Sequence, residues 1–247
     1  HYAVSSGKWE AVEILLLLGA NPDMKDMYGN TALVTAVRAD KTEIAEKIIR
    51  YGGSVTEPDR QDATPLHHSA ALGNFRMTDM LLYYDSPTEF RDREGNTPLM
   101  AAVFYGFYDI ADLLLQAGAD PNADDKLGFT PIMAAAQNGD TLMMRILTDA
   151  GAWLYAVNDY GLDALGCAIV SSKKDAVAFL LEEGNLWRKQ EGKGISHFKL
   201  ANTYGNKELA DMLSAHGLQT EREVSFNQLS VSAGVWATTH YHLSGVS

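Results

Sequence analysis

Residues 92–122 read DREGNTPLMAAVFYGFYDIADLLLQAGADPN, and this stretch decides the fold. Thr97 and the proline after it suit the first turn of a helix, because threonine caps free backbone N–H groups and proline lacks the N–H that a first turn leaves unpaired. Gly106 interrupts the helical pattern, and apolar residues then recur at helical spacing up to Leu114. Gly118 supplies the left-handed residue that ends a helix. The stretch therefore predicts two short helices joined by a turn.

The same pattern recurs along the chain with a period of 33 residues. The first glycine ladder is Gly29, Gly95, Gly128, Gly161 and Gly194, with Asp62 in its vacant position. The second is Gly19, Gly52, Gly118, Gly151, Gly184 and Gly217, with Asp85 in its vacant position. A third ladder consists of the triplets that begin the first helices, at residues 31–33, 64–66, 97–99, 130–132, 163–165 and 196–198. Three ladders in one register indicate internal repeats.

Stacking of the repeats follows from their small size. A single pair of short helices cannot bury its apolar face alone, so we expect an all-α solenoid of stacked helix pairs. Small residues such as Ala101 and Ala134 lie on the first helices, where they allow neighbouring repeats to approach closely. His1 falls at the same position of the repeat as His67, so we expect the first repeat to be truncated.

The repeated residues resemble the ankyrin repeat. The resemblance rests on Asp92-x-x-Gly95-x-Thr97-Pro-Leu at the start of a repeat and on Leu114-Leu-x-x-Gly118-Ala-Asp-x-Asn122 at its end. It implies an ankyrin domain over residues 1–218, with a truncated first repeat, five complete repeats and a terminal one. The residues after this domain, 219–247, are predicted from their own pattern to form an extended, β-like tail. The departures are Asp163 and Ser196 in place of threonine, and Asp85-Ser-Pro87 in place of Gly-Ala-Asp.

The composition excludes several classes of function. The 247 residues include 20 basic and 32 acidic side chains, and the net charge of −12 argues against a protein that holds nucleic acid by its phosphates. The single cysteine, Cys167, excludes a disulfide framework and a zinc site built on cysteines. Motifs for phosphate-binding loops, dinucleotide sites, serine nucleophiles and zinc proteases are absent. We therefore expect no catalysis, no cofactor, no metal and no small-molecule substrate.

Two potentially reactive side chains are expected to be structural. Cys167 lies among Gly166, Ala168 and Ile169 on a first helix, which favours a small buried residue over a nucleophile. His67 occupies the position at which the resemblance implies a hydrogen bond across the turn.

Partner binding is the function that the resemblance implies, along a concave face formed by the turn tips and the exposed side of the first helices. Aromatic and apolar side chains occupy positions on this face where polar ones are expected, and polar groups surround them, which is typical of a protein-binding hot spot. The candidate binding residues are Tyr28, Arg60, Glu94, Phe104, Tyr105, Leu127, Phe129, Tyr160 and Tyr204. The alternative is that these rings pack on one another and stiffen the array.

The leading hypothesis is therefore a non-catalytic scaffold that binds a protein partner, whose identity the sequence does not encode. A second hypothesis comes from the tail, because residues 224–247 carry no charge and apolar residues alternate with polar ones over residues 229–243. A period of two predicts an extended strand and resembles a strand of an outer-membrane barrel. The repeats would then be a soluble periplasmic arm of a bacterial outer-membrane protein or assembly.

Other interpretations of the tail are a strand that pairs with a partner's sheet, or one that folds over the last repeat. His240 and His242 share one face of the predicted strand, but no third ligand accompanies them, so we expect no metal there. The bacterial periplasm or outer membrane and the cytoplasm both stay open as compartments.

Overall fold

The computed structural model describes residues 1–183, 196–204 and 206–218. The chain divides into an N-terminal body, His1–Asp125, and a C-terminal body, Lys126–Ser247. The N-terminal body contains α1 (Tyr2–Ser5), α2 (Trp9–Leu17), α3 (Ala32–Arg38), α4 (Thr42–Arg50), α5 (Pro65–Ala71), α6 (Phe75–Tyr83), α7 (Pro98–Tyr105) and α8 (Tyr108–Gln116). The described part of the C-terminal body contains α9 (Pro131–Asn138), α10 (Thr141–Asp149), α11 (Ala164–Val170), α12 (Lys174–Glu183), α13 (His197–Thr203) and α14 (Lys207–Ala215). The described residues form no strand.

Several first helices begin at a side-chain cap, as the sequence predicts, whereas Thr130 before α9 makes no side-chain cap hydrogen bond. Thr97 Oγ1 accepts a hydrogen bond from the backbone N–H of Met100 at 3.3 Å, and Thr31 makes the same bond in its repeat. The two departures from threonine keep this function, because Asp163 accepts from the N–H of Gly166 at 2.8 Å and Ser196 caps α13. These helices are therefore capped even though threonine is replaced at the cap position.

The vacant positions in the glycine ladders keep the backbone conformation of glycine. Asp62 and Asp85 have φ angles of 60° and 58°, in the left-handed region, while Gly118 at the position matching Asp85 has 92°. Aspartate tolerates this region better than most residues, although glycine enters it at lower cost.

The helix pairs stack in two rows within the N-terminal body. The first helices α1, α3, α5 and α7 pack in that order, and so do the second helices α2, α4, α6 and α8. In the C-terminal body the rows are α9, α11 and α13, and α10, α12 and α14. The core between the rows is formed by fully buried apolar side chains such as Leu66, Leu81, Leu99 and Leu114.

The predicted all-helical repeat architecture is confirmed. The predicted domain boundary after Leu218 stays a prediction, and the tail over residues 219–247 lies outside the described residues. None of the helices in the described part of the chain has the length and hydropathy needed to cross a membrane.

Candidate interaction surfaces

The turn tips before α3, α5 and α7 are held by one repeated acceptor. Asp26 Oδ1 accepts hydrogen bonds from the backbone N–H groups of Tyr28 and Asn30, both at 2.8 Å. The carboxylates of Asp59 and Asp92 accept from the groups two and four residues further on in the same way. Because these hydrogen bonds lie within each turn, the backbone of the tip is held in place before any binding partner is present.

Neighbouring tips of the N-terminal body also contact one another. A Cβ placed on Gly29 would lie 2.5 Å from Cγ of Arg60, so the second tip lies directly against the first. The backbone N–H of Arg93 donates to the carbonyl oxygen of Gln61 at 2.7 Å, and its guanidinium donates to the carbonyl oxygen of Arg60. Residues 27–30, 60–63 and 93–96 therefore form a continuous row, which we call the tip edge.

Three of the predicted binding residues lie on the tip edge. Tyr28 is 66% exposed, and Arg60 and Glu94 are also exposed. Met27, beside Tyr28, is 73% exposed. The tip edge thus presents a thioether, a phenol ring and charged groups to solvent on a fixed backbone.

Phe104 and Tyr105 lie at the C-terminal end of α7 and are half-buried. Their rings meet edge to face, with centroids 5.0 Å apart, and Tyr105 also lies 6.2 Å from the ring of Phe107. Partial burial raises the pKa of Tyr105. These rings are packed together, with part of their surface left to solvent.

The expectation that Phe129 offers an exposed ring is wrong. Phe129 is only 5% exposed, and its centroid lies 6.1 Å from that of Tyr160, so it is part of the packing of the C-terminal body. Leu127 is half-buried, and its carbonyl oxygen accepts from the N–H of Asp159 at 2.9 Å. Tyr160 and Tyr204 are each 38% exposed and remain available at the surface of that body.

A buried polar network in the N-terminal body joins two tips to α5. The backbone N–H of Thr64 donates to Nδ1 of His67 at 3.1 Å, so Nε2 carries the proton and donates to the carbonyl oxygen of Asn96 at 3.0 Å. The implied hydrogen bond of His67 across the turn is confirmed. Burial lowers the pKa of His67 from 6.5 to about 4, so the ring is neutral at pH 7.

His68 and Asp59 form a second part of this network that sequence reasoning missed. Nε2 of His68 donates to Oδ2 of Asp59 at 2.9 Å, and both side chains are buried. Burial acts to raise the pKa of Asp59, but the hydrogen bonds from His68 and from the tip backbone outweigh it and hold the pKa below 3.8. Aspartate recurs at the position of Asp59 in neighbouring repeats, but the position of His68 holds Thr35 and Ala101 there, so the repeat pattern carries no signal for the pair.

The remaining chemical candidates offer no reactive arrangement in the described residues. Cys167 is buried, and burial raises the pKa of its thiol, which disfavours the reactive thiolate. No group of three or more His, Cys, Asp or Glu side chains is placed to hold a metal ion in residues 1–183, 196–204 and 206–218. His240, His242 and the alternating tail segment lie outside those ranges, so the outer-membrane hypothesis stays a prediction.

Comparison with known proteins gives one family. The family model described as ankyrin repeats, three copies, matches residues 1–90, 55–125 and 121–190. No curated protein matches the chain at a significant level.

Proposed function

The chain belongs to the ankyrin-repeat family, and on that premise we propose that it is a non-catalytic scaffold that binds a partner along the tip edge and the neighbouring ends of the first helices. Repeats of this family generally mediate binding to protein partners and are generally non-catalytic. The observation that carries this proposal is the exposure of Tyr28, Arg60 and Glu94 on backbone that is already fixed.

The fixed backbone favours binding, because every flexible group that becomes ordered in a complex reduces the free energy gained on binding. At each tip, an aspartate holds the turn by hydrogen bonds to the backbone, and contacts between Gly29 and Arg60 and between Gln61 and Arg93 hold neighbouring tips together. When a partner binds along the tip edge, the side chains of the tips become ordered, but their backbone is ordered already.

The side-chain chemistry of the tip edge also fits a protein partner. Tyrosine and arginine are enriched among residues that dominate binding energy, because each offers a large apolar surface together with hydrogen-bonding groups. Tyr28 and Arg60 provide this combination on adjacent tips, with Met27 as an adaptable apolar neighbour. Phe104 and Tyr105 add a half-buried aromatic pair at the end of α7.

In the C-terminal body, the proposal assigns the corresponding contacts to Tyr160 and Tyr204, with Leu127 as a half-buried neighbour. Phe129 is not among the contacts, because its ring is buried against Tyr160. Its contribution is to hold the ring of Tyr160 in place.

Affinity purification with three matched baits tests the proposal. We expect the wild-type chain to retain a partner that the double variant Tyr28→Ala, Arg60→Ala loses. The control is Tyr83→Ala, which removes an 80% exposed tyrosine from the end of α6, away from the tip edge, and should retain the partner. Equal recovery on all three baits would contradict the proposal, provided that circular dichroism shows the same helical content.

A further inference from the structure

The tip aspartates before α3 and α7 use both of their carboxylate oxygens. Oδ1 of Asp26 holds the tip backbone, and its Oδ2 accepts a hydrogen bond from Nδ2 of Asn30 at 3.3 Å. Oδ2 of Asp92 accepts a hydrogen bond from Nδ2 of Asn96 at 3.2 Å. In these two tips, an asparagine four residues after the aspartate therefore satisfies the oxygen that the tip backbone leaves free.

The tip of residues 60–63, which we call the middle tip, lacks this asparagine. Ala63 occupies the position, and its side chain has no hydrogen-bond donor. The donor comes instead from His68 on α5, whose Nε2 lies 2.9 Å from Oδ2 of Asp59. His68 therefore replaces a hydrogen bond that the neighbouring tips make within themselves.

The contact between His68 and Asp59 is shielded from water, since their side chains are 6% and 9% exposed. Loss of one partner of a buried hydrogen bond leaves the other unsatisfied. The backbone N–H groups of Gln61 and Ala63 donate to Oδ1 of the same carboxylate, at 2.7 and 3.1 Å. A shift of the Asp59 carboxylate therefore shifts the backbone of the middle tip.

Both neighbouring tips of the tip edge are attached to the middle tip. On one side, a Cβ placed on Gly29 would lie 3.0 Å from the backbone nitrogen of Arg60. On the other side, the carbonyl oxygens of Arg60 and Gln61 accept hydrogen bonds from the guanidinium and the backbone N–H of Arg93. A shift of the middle tip therefore disturbs its contacts with both neighbours.

We propose that His68 is a positioning residue for the tip edge, which acts through Asp59 to hold the middle tip in the conformation that presents Arg60. His68 is buried and contacts no partner itself. Its effect on partner binding rests on the proposed function of the tip edge, whereas its effect on the conformation of the middle tip does not.

Transfer of the arrangement of the fourth repeat into the third tests this inference. In the fourth repeat, Asn96 supplies the donor and Ala101 stands at the position of His68. His68→Ala alone removes the donor from the middle tip. The double variant Ala63→Asn, His68→Ala supplies the donor again from within the tip, so it should rescue the single variant.

Hydrogen exchange measured by NMR at the amides of Gln61 and Arg93 reports on the middle tip and on its contact with the next tip. We expect exchange to accelerate at least about fivefold in His68→Ala, the factor that corresponds to loss of one ordinary hydrogen bond. In the double variant it should return to within about twofold of wild type. The control Ala70→Gly weakens α5 two residues further on and should leave both amides unchanged.

The probe for binding is the purified protein that the wild-type bait retains and the Tyr28→Ala, Arg60→Ala bait loses. We expect its Kd to rise at least about fivefold for His68→Ala and to recover in the double variant. If no protein meets this criterion, the proposed function fails, while the exchange rates still decide whether His68 positions the tip.

Four results would overturn the inference. The first is unchanged exchange at Gln61 and Arg93 in His68→Ala. The second is equal acceleration in Ala70→Gly. The third is failure of the double variant to restore slow exchange, including the case in which both variants fail to fold. The fourth is an unchanged Kd in His68→Ala although exchange has accelerated, because the position of the middle tip would then not affect binding.

Discussion

Nε2 of His67 lies 3.0 Å from the carbonyl oxygen of Asn96, so a side chain of one repeat closes the tip of the next. Nδ1 of the same ring accepts a hydrogen bond from the backbone N–H of Thr64. A second proton on the ring would have to bind to Nδ1 and would break this hydrogen bond. The folded repeat therefore favours a neutral imidazole over a protonated one.

Stability of the N-terminal body should fall as the solution is acidified from pH 6.5 to pH 4. The pKa of His67 is about 4 in the folded chain and 6.5 in the unfolded one, so between these values the unfolded state binds a proton that the folded state does not. The free energy of unfolding then decreases by up to about 1.4 kcal/mol per pH unit. Urea titrations at pH 7, 5.5 and 4.5 measure it.

Variants at two histidines separate this effect from general acid denaturation. His67→Gln should lower the stability at pH 7 and flatten its pH dependence above pH 4. His216→Gln changes an exposed histidine and should leave the pH dependence intact. A full acid slope in His67→Gln would show that another group is responsible.

Replacing Leu114 with alanine should lower the free energy of unfolding by about 2–5 kcal/mol, because a fully buried leucine loses its packing and leaves a cavity. Leu17→Ala removes a leucine that is 67% exposed and should change stability by less than about 0.5 kcal/mol. Chemical denaturation of the two variants measures both values. Similar losses would mean that the buried and exposed positions of the second helices are wrongly assigned.

Asp85→Gly should stabilise the chain by about 0.5–1 kcal/mol, because aspartate at a φ of 58° carries strain that glycine does not. The gain is limited because glycine also makes the unfolded chain more flexible. Asp79→Gly, within α6, should instead destabilise the chain by about 0.3 kcal/mol, because glycine is a poorer helix former than aspartate. Thermal melting compares the two, and a lower midpoint for Asp85→Gly than for wild type would be inconsistent with strain at this position.

His197→Ala should loosen α13 and α14 of the C-terminal body. Nε2 of His197 lies 2.8 and 3.0 Å from the two carboxylate oxygens of Asp163, which also caps α11. Loss of this contact leaves a largely buried carboxylate with fewer hydrogen-bond partners and should cost about 1–3 kcal/mol. Hydrogen exchange should accelerate in α13 and α14, whereas Lys207→Ala, at an exposed position of α14, should not accelerate it.

Periodic features could be predicted from the sequence, and individual contacts could not. The Thr-Pro starts and the glycine ladders predict the helix boundaries because each depends on local backbone chemistry alone. Asp163 and Ser196 depart from the motif yet cap their helices, since capping needs only a side-chain oxygen at that position.

The candidate site was less predictable for a physical reason. Phe129 occupies a position next to a tip, and its burial depends on the ring of Tyr160 in the next repeat, which no local pattern encodes. The pair of Asp59 and His68 depends in the same way on how one tip lies against α5. Tyr28, Arg60 and Glu94 are at the surface because tips project from the helices, so their exposure follows from the repeat itself.

The affinity of a purified partner for the tip-edge variant tests the central claim most directly. Isothermal titration calorimetry should show that Tyr28→Ala with Arg60→Ala weakens binding by more than about 2 kcal/mol, or about 30-fold in Kd, while Tyr83→Ala leaves Kd unchanged. An unchanged Kd for the tip-edge variant, with helical content preserved, would contradict the claim that the tip edge carries the binding.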